Sequence, residues 1–311
     1  MGKCQTALSL VLSVIAFIAV GSRDAAAQGA WVGDKGGLDV GLDYNFATSS
    51  KVVTDEMDFE NGGVDSHTLT VSAEYTPIRS LAVNLQLPVQ MLKFTGDVAN
   101  GVPSEYPHPG HGSYDDGDFH TTLTDLRVGA RYQVLDEPVA IAPHVAFSIP
   151  VADYETIGNA VAGRHLKMLH VGAGLGYLIG ERGYTQLVYE FTLAEKYGDV
   201  EALTKHSQNR SDLSYVIGTR LLDYRVDVHA DLNLRRTHGG VGLVESFGLG
   251  GPEAVEHDAI LDEDFFLVGG GVGYQLSNSL AINASARIFV DGDNALNASV
   301  FALGLAWSPI Q

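Results

Sequence analysis

Apolar and polar residues alternate along much of the chain, most regularly between Thr121 and Tyr154. Every second residue from Thr122 to Val134, Thr124 included, shares one mostly apolar face, and the residues between them are mostly charged or small. The alternation resumes from Val139 to Ile149 after a short reversal at residues 136–138. Because side chains alternate across a strand with a period of two, this stretch predicts a hairpin of two long strands. Strands this long exceed those of most globular sheets and suit a tilted bilayer crossing.

The same alternation recurs along the chain and predicts about twelve strands in total. Besides the hairpin, the predicted strands are Gly37–Thr48, Ser66–Thr76, Leu81–Phe94, Arg164–Ile179, Tyr184–Tyr197, Asp212–Leu222, Tyr224–Arg236, Asp264–Leu276, Leu280–Asp291 and Ala295–Ser308.

The predicted connections alternate between short reversals and longer polar loops, with a short last loop at residues 292–294. Outer-membrane barrels have short periplasmic turns and long external loops, and an even strand number leaves both termini in the periplasm. The fold class predicted is therefore all-β: a transmembrane, antiparallel, up-and-down β-barrel in the outer membrane of a Gram-negative bacterium, with its lipid bilayer as partner. Aromatic residues at the short-turn ends predict an interfacial girdle: Tyr75, Tyr132, Tyr177, Tyr184, Tyr224, Tyr274 and Trp307.

The N-terminal residues have the pattern of a secretory signal peptide. Lys3 precedes an apolar run from Ala7 to Val20, and an A-x-A cleavage site follows at residues 25–27. We therefore predict a signal peptide over residues 1–27 and an outer-membrane β-barrel over residues 28–311. The single cysteine, Cys4, lies within the predicted signal, so the mature chain would contain no disulfide.

The charge balance excludes one class of partner. The chain contains 19 Lys+Arg against 38 Asp+Glu, for a net charge of -19. Nucleic-acid binding needs a basic surface, so no nucleic acid is expected as a partner. A soluble β-sandwich is the alternative fold, but it does not require such long strands or so regular an alternation of loop lengths.

The polar face of the strands is expected to line the lumen and to determine what passes through it. The strand predicted at residues 224–236 shows the pattern best, because apolar residues alternate there with charged residues and histidine. Two interpretations remain open: paired charges that fill a narrow barrel, or a polar conduit that selects solutes. Glycines in the runs at residues 172–176 and 269–273 are expected to make room in the lumen or to bend strands. The predicted pore-lining residues are Asp125, Arg127, Arg131, His144, Glu190, Arg220, Arg225, Asp227, His229, Asp231, Arg235 and Arg287.

A histidine- and aspartate-rich loop at residues 103–120 is a candidate metal site. Imidazole and carboxylate groups together bind divalent cations such as Zn²⁺ or Cu²⁺. A loop rich in Pro, Gly and Asp also forms without any metal, so both interpretations stay open. Apart from this metal, no cofactor is expected. The candidate ligands are His108, His111, His120, Asp116 and Asp118.

Three short segments carry a family resemblance: DLRVGARY at Asp125–Tyr132, PHVAFSIP at Pro143–Pro150 and VGAGLGY at Val171–Tyr177. With them the chain resembles the outer-membrane transporter family named for the meta pathway of phenol degradation. That family is similar in outline to fatty-acid and aromatic-hydrocarbon channels. The resemblance implies uptake of small aromatic or apolar molecules. Only about nine residues separate the predicted cleavage site from the first strand, so the N-terminal plug of fatty-acid channels is expected to be missing.

The function predicted is a passive channel or transporter for small molecules, without enzymatic chemistry. One alternative is a structural or adhesive barrel whose loops bind partners. Another is an outer-membrane lipid hydrolase, which needs a Ser/His/acid set near the external rim with its nucleophile reachable from lipid. His67 and His165 are predicted near that rim, but no serine is obviously paired with either.

Overall fold

The computed structural model describes residues 29–56, 58, 63–95, 114–156, 158–198, 201–249 and 257–310. The long strands are β1 (Leu38–Ser49), β3 (Val64–Ile78), β4 (Leu81–Phe94), β6 (Asp125–Tyr132), β7 (Val139–Pro150), β8 (Met168–Ile179), β9 (Gly183–Ala194), β10 (Arg210–Leu221), β11 (Val226–Thr237), β12 (Asp264–Ser277), β13 (Leu280–Asp293) and β15 (Ser299–Ile310). The short strands are β2 (Val52–Val53), β5 (His120–Leu123) and β14 (Ala295–Leu296). The helical segments are α1 (Glu201–Thr204), α2 (Leu243–Leu249) and a 3₁₀ turn at His257–Ile260. None of the helices in this part of the chain is long and apolar enough to cross a membrane.

The twelve long strands form one closed antiparallel barrel, as the sequence predicts. Each long strand pairs with the next long strand in sequence, and the first strand, β1, pairs with the last, β15. The β1–β15 ladder runs from Leu38 opposite Ile310 to Thr48 opposite Ser299. Closure leaves no strand edge unpaired, which is the condition for a sheet in hydrocarbon.

An apolar exterior surrounds the barrel. Leucine and valine side chains such as Leu42, Val71 and Val128 lie on its outer surface and remain exposed. Neighbouring strands place these residues at matching levels, for instance Leu42 opposite Val71. A closed antiparallel sheet with an apolar exterior is an outer-membrane barrel of a Gram-negative bacterium.

The aromatic girdle at the short-turn end is confirmed for six of its seven predicted members and wrong for Tyr184. The Tyr184 hydroxyl donates a hydrogen bond inside the barrel to Asp227 Oδ1 at 2.9 Å. Its strand begins at Gly183, and the side chains on the same face, such as Gln186 and Glu190, all point inward. The six exposed aromatic residues are Tyr75, Tyr132, Tyr177, Tyr224, Tyr274 and Trp307.

The strand predicted from residue 122 to residue 134 is interrupted at Thr124. Between the pairs Val89–Leu123 and Gln86–Arg127, the second strand contains one residue more than β4. Pro88 lies opposite this bulge and has no backbone N–H, and the Thr124 N–H donates to the Pro88 carbonyl oxygen at 3.2 Å. The extra residue reverses the alternation, so Leu123 faces outward and Thr124 is buried. The predicted outward position of Thr122 and Thr124 is therefore wrong.

Two other strands begin four residues later than predicted, because loop residues continue the apolar alternation. The strand β8 begins at Met168 and not at residue 164, since residues 164–167 belong to the preceding loop. The strand β15 begins at Ser299 and not at residue 295. The segment Ala295–Leu296 forms β14 instead, which pairs with β2 outside the barrel.

The alternation of short turns and long loops predicts which barrel end faces the cell exterior. We expect a thiol-reactive, membrane-impermeant reagent to label Asp116→Cys in whole cells but not Glu137→Cys, because these residues lie in a long loop and in a short turn. Gly250, in another predicted long loop, is also expected outside the cell, but it is not among the described residues. Ser277→Cys, at a second short turn, is the matched unlabelled site. Labelling of Glu137→Cys in intact cells would contradict this topology.

Candidate functional site

The lumen contains a central cavity of about 480 Å³. Its walls come from inward-facing residues on most of the strands, because alternation places every second side chain inside. Three acidic and three basic residues contribute, so the cavity is strongly polar without one dominant sign. The charged residues lining it are Asp43, Arg127, Glu190, Asp212, Arg235 and Arg287.

The Glu190 carboxylate organises one wall of this cavity across four neighbouring strands. Arg127 binds it through two hydrogen bonds, from Nη1 to Oε1 at 3.0 Å and from Nη2 to Oε2 at 2.5 Å. His144 Nε2 lies 3.0 Å from Oε2, and His170 Nδ1 lies 3.1 Å from Oε1. A bidentate arginine–carboxylate pair with two imidazole partners holds these side chains in fixed positions.

The histidine behind Glu190 joins a buried hydrogen-bond chain. His170 Nε2 lies 2.8 Å from Ser148 Oγ, and His170 Nδ1 lies 2.9 Å from Thr192 Oγ1. Serine, histidine and glutamate in this order resemble the charge-relay set of a hydrolase. However, His170 is only 1% exposed, so an ester cannot reach it. We interpret the chain as wall structure.

A second ion pair lies toward the short-turn end of the lumen. Arg131 Nη2 donates to Glu74 Oε1 at 2.6 Å, and both side chains are buried. The Arg131 Nη1 also donates to the carbonyl oxygen of Gly29 at 2.8 Å. This arginine therefore connects the barrel wall to the chain that precedes the first strand.

The expected absence of the plug of fatty-acid channels stays a prediction, but residues 29–32 lie inside the barrel. The Ala30 N–H donates to Gln186 Oε1 at 3.1 Å, and the Val32 N–H donates to Gln133 Oε1 at 2.8 Å. A Cβ added at Gly176 would lie 2.5 Å from the Trp31 side chain. The inward glycine therefore makes room, as predicted for this run, and the room is taken by Trp31. Residues 29–32 therefore occupy part of the lumen and narrow it.

Trp31 separates two smaller cavities at the short-turn end. One, of about 200 Å³, is lined by Glu74 and Arg131 as well as Trp31. The other, of about 450 Å³, is lined by Trp31 together with charged residues of β10 and β11. In the second cavity, Asp227 Oδ1 accepts the Tyr184 hydroxyl hydrogen and lies 3.2 Å from His229 Nδ1.

The structure places the predicted lumen residues in three groups. Those lining the central cavity are Arg127, Glu190, Arg235 and Arg287. Those lining the cavities beside Trp31 are Arg131, Arg220, Arg225, Asp227 and His229. Those held in polar contacts of the wall are Asp125, His144 and Asp231. Arg225 belongs to the turn before β11 and not to a strand. Their role in passage stays a prediction, and the alternation of the barrel strands gives no signal for the missed residue Trp31.

The opposite end of the lumen is covered by external loops. Tyr154, in the loop after β7, is buried and its hydroxyl donates to Asp125 Oδ1 at 2.6 Å. Burial and the neighbouring Asp125 raise the pKa of the Tyr154 hydroxyl, which keeps it protonated as the donor. Ala160 of the same loop packs against Leu92 and Phe94, near the long-loop end of β4. This loop therefore narrows the external mouth.

Part of the predicted metal loop lies within the described residues. His120 Nε2 is 2.8 Å from Asp116 Oδ1, and the Asp118 N–H donates to the same oxygen at 2.9 Å. Their hydrogen bonds lower the pKa of the exposed Asp116, so its carboxylate is ionised at neutral pH. His108 and His111 lie outside the described residues, within which no group of three or more candidate ligands is placed to hold a metal ion.

Comparison with solved structures shows the fold. An outer membrane channel from Pseudomonas putida F1 superposes with a TM-score of 0.67 at 12% sequence identity, covering 93% of this chain and 99% of that chain. The beta domain of the Bordetella autotransporter BrkA gives a TM-score of 0.51 at 13% identity, with 88% and 100% covered. The NanC porin gives 0.50 at 8% identity, with 86% and 98% covered. At such identities the likeness shows the fold alone.

No family model matches the chain, and no curated protein matches it. The resemblance to the phenol-degradation transporter family therefore stays a prediction. What the fold comparison shows is a barrel built like those of outer membrane channels and porins.

The metal prediction can be tested by calorimetry on the refolded barrel. If His108, His111 and His120 bind Zn²⁺ with the ionised Asp116, we expect about one ion per barrel, because imidazole and carboxylate suit this cation. Replacing the three histidines by alanine should abolish the binding, whereas His165→Ala should not. Equal, weak binding by the parent and the triple variant would leave the loop without a metal role.

Proposed function

We propose that this barrel is a passive outer-membrane channel for small hydrophilic solutes. The observation that carries the proposal is the polar path along the lumen. The central cavity shares Asp43 and Gln86 with the smaller cavity beside Trp31, and shares Gln186 with the larger one. Water and a small polar solute are expected to find hydrogen-bond partners along this path, since charged and amide side chains line all three cavities.

Paired charges explain how a strongly charged lumen can still let solutes pass. Arg287 Nε donates to Asp231 Oδ1 at 2.6 Å, and Arg235 Nε donates to Asp212 Oδ1 at 2.8 Å. Each pair lowers the field that an unpaired charge would impose in a narrow, poorly screened lumen. Such a lumen favours solutes that are uncharged or carry both signs.

This solute class differs from the one that the family resemblance implies. Uptake of aromatic or apolar molecules needs an apolar wall along the path. In a charged, hydrated lumen such a molecule stays in contact with water, so little favourable free energy comes from burying its apolar surface. The lining of the central cavity combines thirteen charged, amide or hydroxyl residues with seven apolar ones, so no continuous apolar wall follows the path. We therefore place hydrophilic solutes before apolar ones in this proposal.

The proposal predicts a defined ion selectivity. Replacing Asp227 and Asp231 together by asparagine should shift the selectivity toward anions, because Arg287 and the arginines beside Asp227 then carry unpaired positive charge. The measurement is the reversal potential across a planar bilayer under a salt gradient. Val228→Ala, on the lipid face of the same strand, is the control and should leave the potential unchanged. An unchanged potential in the double variant would contradict the assigned path.

The segment at residues 29–32 predicts a second change in conduction. Trp31→Ala should raise the single-channel conductance by about twofold or more, because it removes the side chain between the two smaller cavities. The only other tryptophan of the chain, Trp307, lies on the outer surface and provides the matched control. Equal conductance in Trp31→Ala and Trp307→Ala would show that the segment does not restrict the path.

A further inference from the structure

The outer surface of the barrel carries a serine–histidine pair at the loop end of β10 and β11. Ser211 is the second residue of β10, and His238 directly follows β11. Ser211 Oγ lies 2.7 Å from His238 Nε2, and the Tyr189 hydroxyl lies 3.0 Å from Ser211 Oγ. The three side chains form one continuous hydrogen-bond chain on the lipid-facing surface.

This geometry is the one that activates a serine hydroxyl. A serine becomes nucleophilic when a base within hydrogen-bond reach accepts its proton. If Ser211 donates to His238 Nε2, its oxygen is free to accept the hydrogen bond that Tyr189 donates.

Two contacts fix the position of the histidine. The backbone N–H of His238 donates to the carbonyl oxygen of Asn209 at 2.7 Å. The centroid of the Phe191 ring lies 5.6 Å from the centroid of the imidazole. A carboxylate lies nearby on β12: Asp264 Oδ2 is 3.8 Å from the Nε of Arg236, two residues before His238. The Oδ1 of Asp264 accepts the N–H of Thr237 at 2.7 Å, which places the carboxylate next to the residue that precedes His238. Asp264 is thus positioned to stabilise the imidazolium that forms when His238 takes a proton.

Exposure distinguishes this set from the buried chain in the lumen wall. His170, which has a similar chemical environment, is 1% exposed, whereas His238 is exposed and Ser211 is partly exposed. The pair also lies at the external ends of the strands, where the ester groups of a lipid meet the apolar exterior. An ester carbonyl at this depth can reach Ser211 without entering the barrel.

The neighbours of Ser211 indicate which lipid would fit. Arg236 is its direct cross-strand partner on β11, and the Arg236 side chain is 71% exposed. Phe191 is its partner on β9, and Leu213 is the next outward residue along β10. A guanidinium beside the serine suits a phosphate group, and the apolar residues suit an acyl chain. The combination fits the acyl ester of a phospholipid.

We propose that Ser211, His238 and Asp264 form a phospholipid acyl-hydrolase site on the outer surface of the barrel. Ser211 Oγ attacks the ester carbonyl carbon and His238 Nε2 takes the serine proton. The carbon–oxygen bond to the lysolipid breaks, and the departing oxygen takes that proton from His238. Water then attacks the acyl-serine, with His238 again moving the proton, and releases the fatty acid and the free serine. The sum is one ester and one water giving one fatty acid and one lysolipid.

The test measures fatty acid released from phosphatidylglycerol in mixed detergent micelles by the refolded full barrel. The parent should hydrolyse the lipid and react with a fluorophosphonate at Ser211. Ser211→Ala and His238→Gln should each lower the rate by at least about a hundredfold. Asp264→Asn should lower it by at least about tenfold, because the imidazole loses its charged neighbour. Arg236→Gln should raise KM for the phospholipid more than for an uncharged acyl ester.

His67→Gln is the matched control. His67 is another lipid-facing histidine near the loop end, with its Nδ1 2.6 Å from the Tyr44 hydroxyl, and its partner is not a serine. The rate should be unchanged in this variant, and heat-modified migration on gels checks that every variant folds as a barrel. A parent that neither hydrolyses the lipid nor reacts with the fluorophosphonate would overturn the proposal. So would a folded Ser211→Ala variant that keeps the parent rate. Neither result would affect the channel proposal.

Discussion

The need to pair every backbone N–H and carbonyl group in a medium without water determines the architecture of this protein. Hydrocarbon offers no hydrogen-bond partners, so a spanning sheet must close on itself. The β1–β15 ladder supplies this closure. Once the sheet is closed, the two-residue period assigns each side chain to lipid or to lumen. The polar interior and the apolar exterior are therefore consequences of one constraint.

Charges in the lumen are stabilised by partners on neighbouring or more distant strands. Glu74 of β3 pairs with Arg131 of β6, and Glu190 of β9 pairs with Arg127 of β6. Removing one partner of a buried pair typically costs about 3–5 kcal/mol, because the remaining charge is left without compensation. These pairs therefore hold the lumen in one arrangement around its cavities, and Arg131 extends that arrangement to the segment at residues 29–32 through Gly29.

Local alternation was sufficient to predict the strands, since each strand needs only its own pattern. The strand β4 has the predicted bounds, and most other strand ends lie within two residues of the prediction. The reversal at Thr124 was not predictable from its own segment, because its cause includes Pro88 on the partner strand. Trp31 was missed for a similar reason: its place in the lumen depends on Gly176, far away in sequence. Tyr184 resembled a girdle residue because it lies beside a short turn, although the two-residue period places it on the same inward face as Glu190.

The candidate sites were predictable only in part, because their contacts join residues that are distant in sequence. Inward arginines and carboxylates were predictable one strand at a time, but the choice of Glu190 as a shared partner required the barrel. Ser211 lies on β10 and His238 directly follows the adjacent strand β11, so their contact corresponds to no short sequence motif.

The central claim is that the lumen is a continuous polar path narrowed at both ends. The most direct measurement is swelling of liposomes that contain the unmodified barrel, in isotonic solutions of glycine, pentoses, disaccharides and an apolar aromatic solute of similar size. The account predicts fast entry of the smallest hydrophilic solutes and a steep decline with size, with no preference for the aromatic compound. Liposomes that admit none of the hydrophilic solutes, or that admit the aromatic solute faster than the pentose, would contradict it.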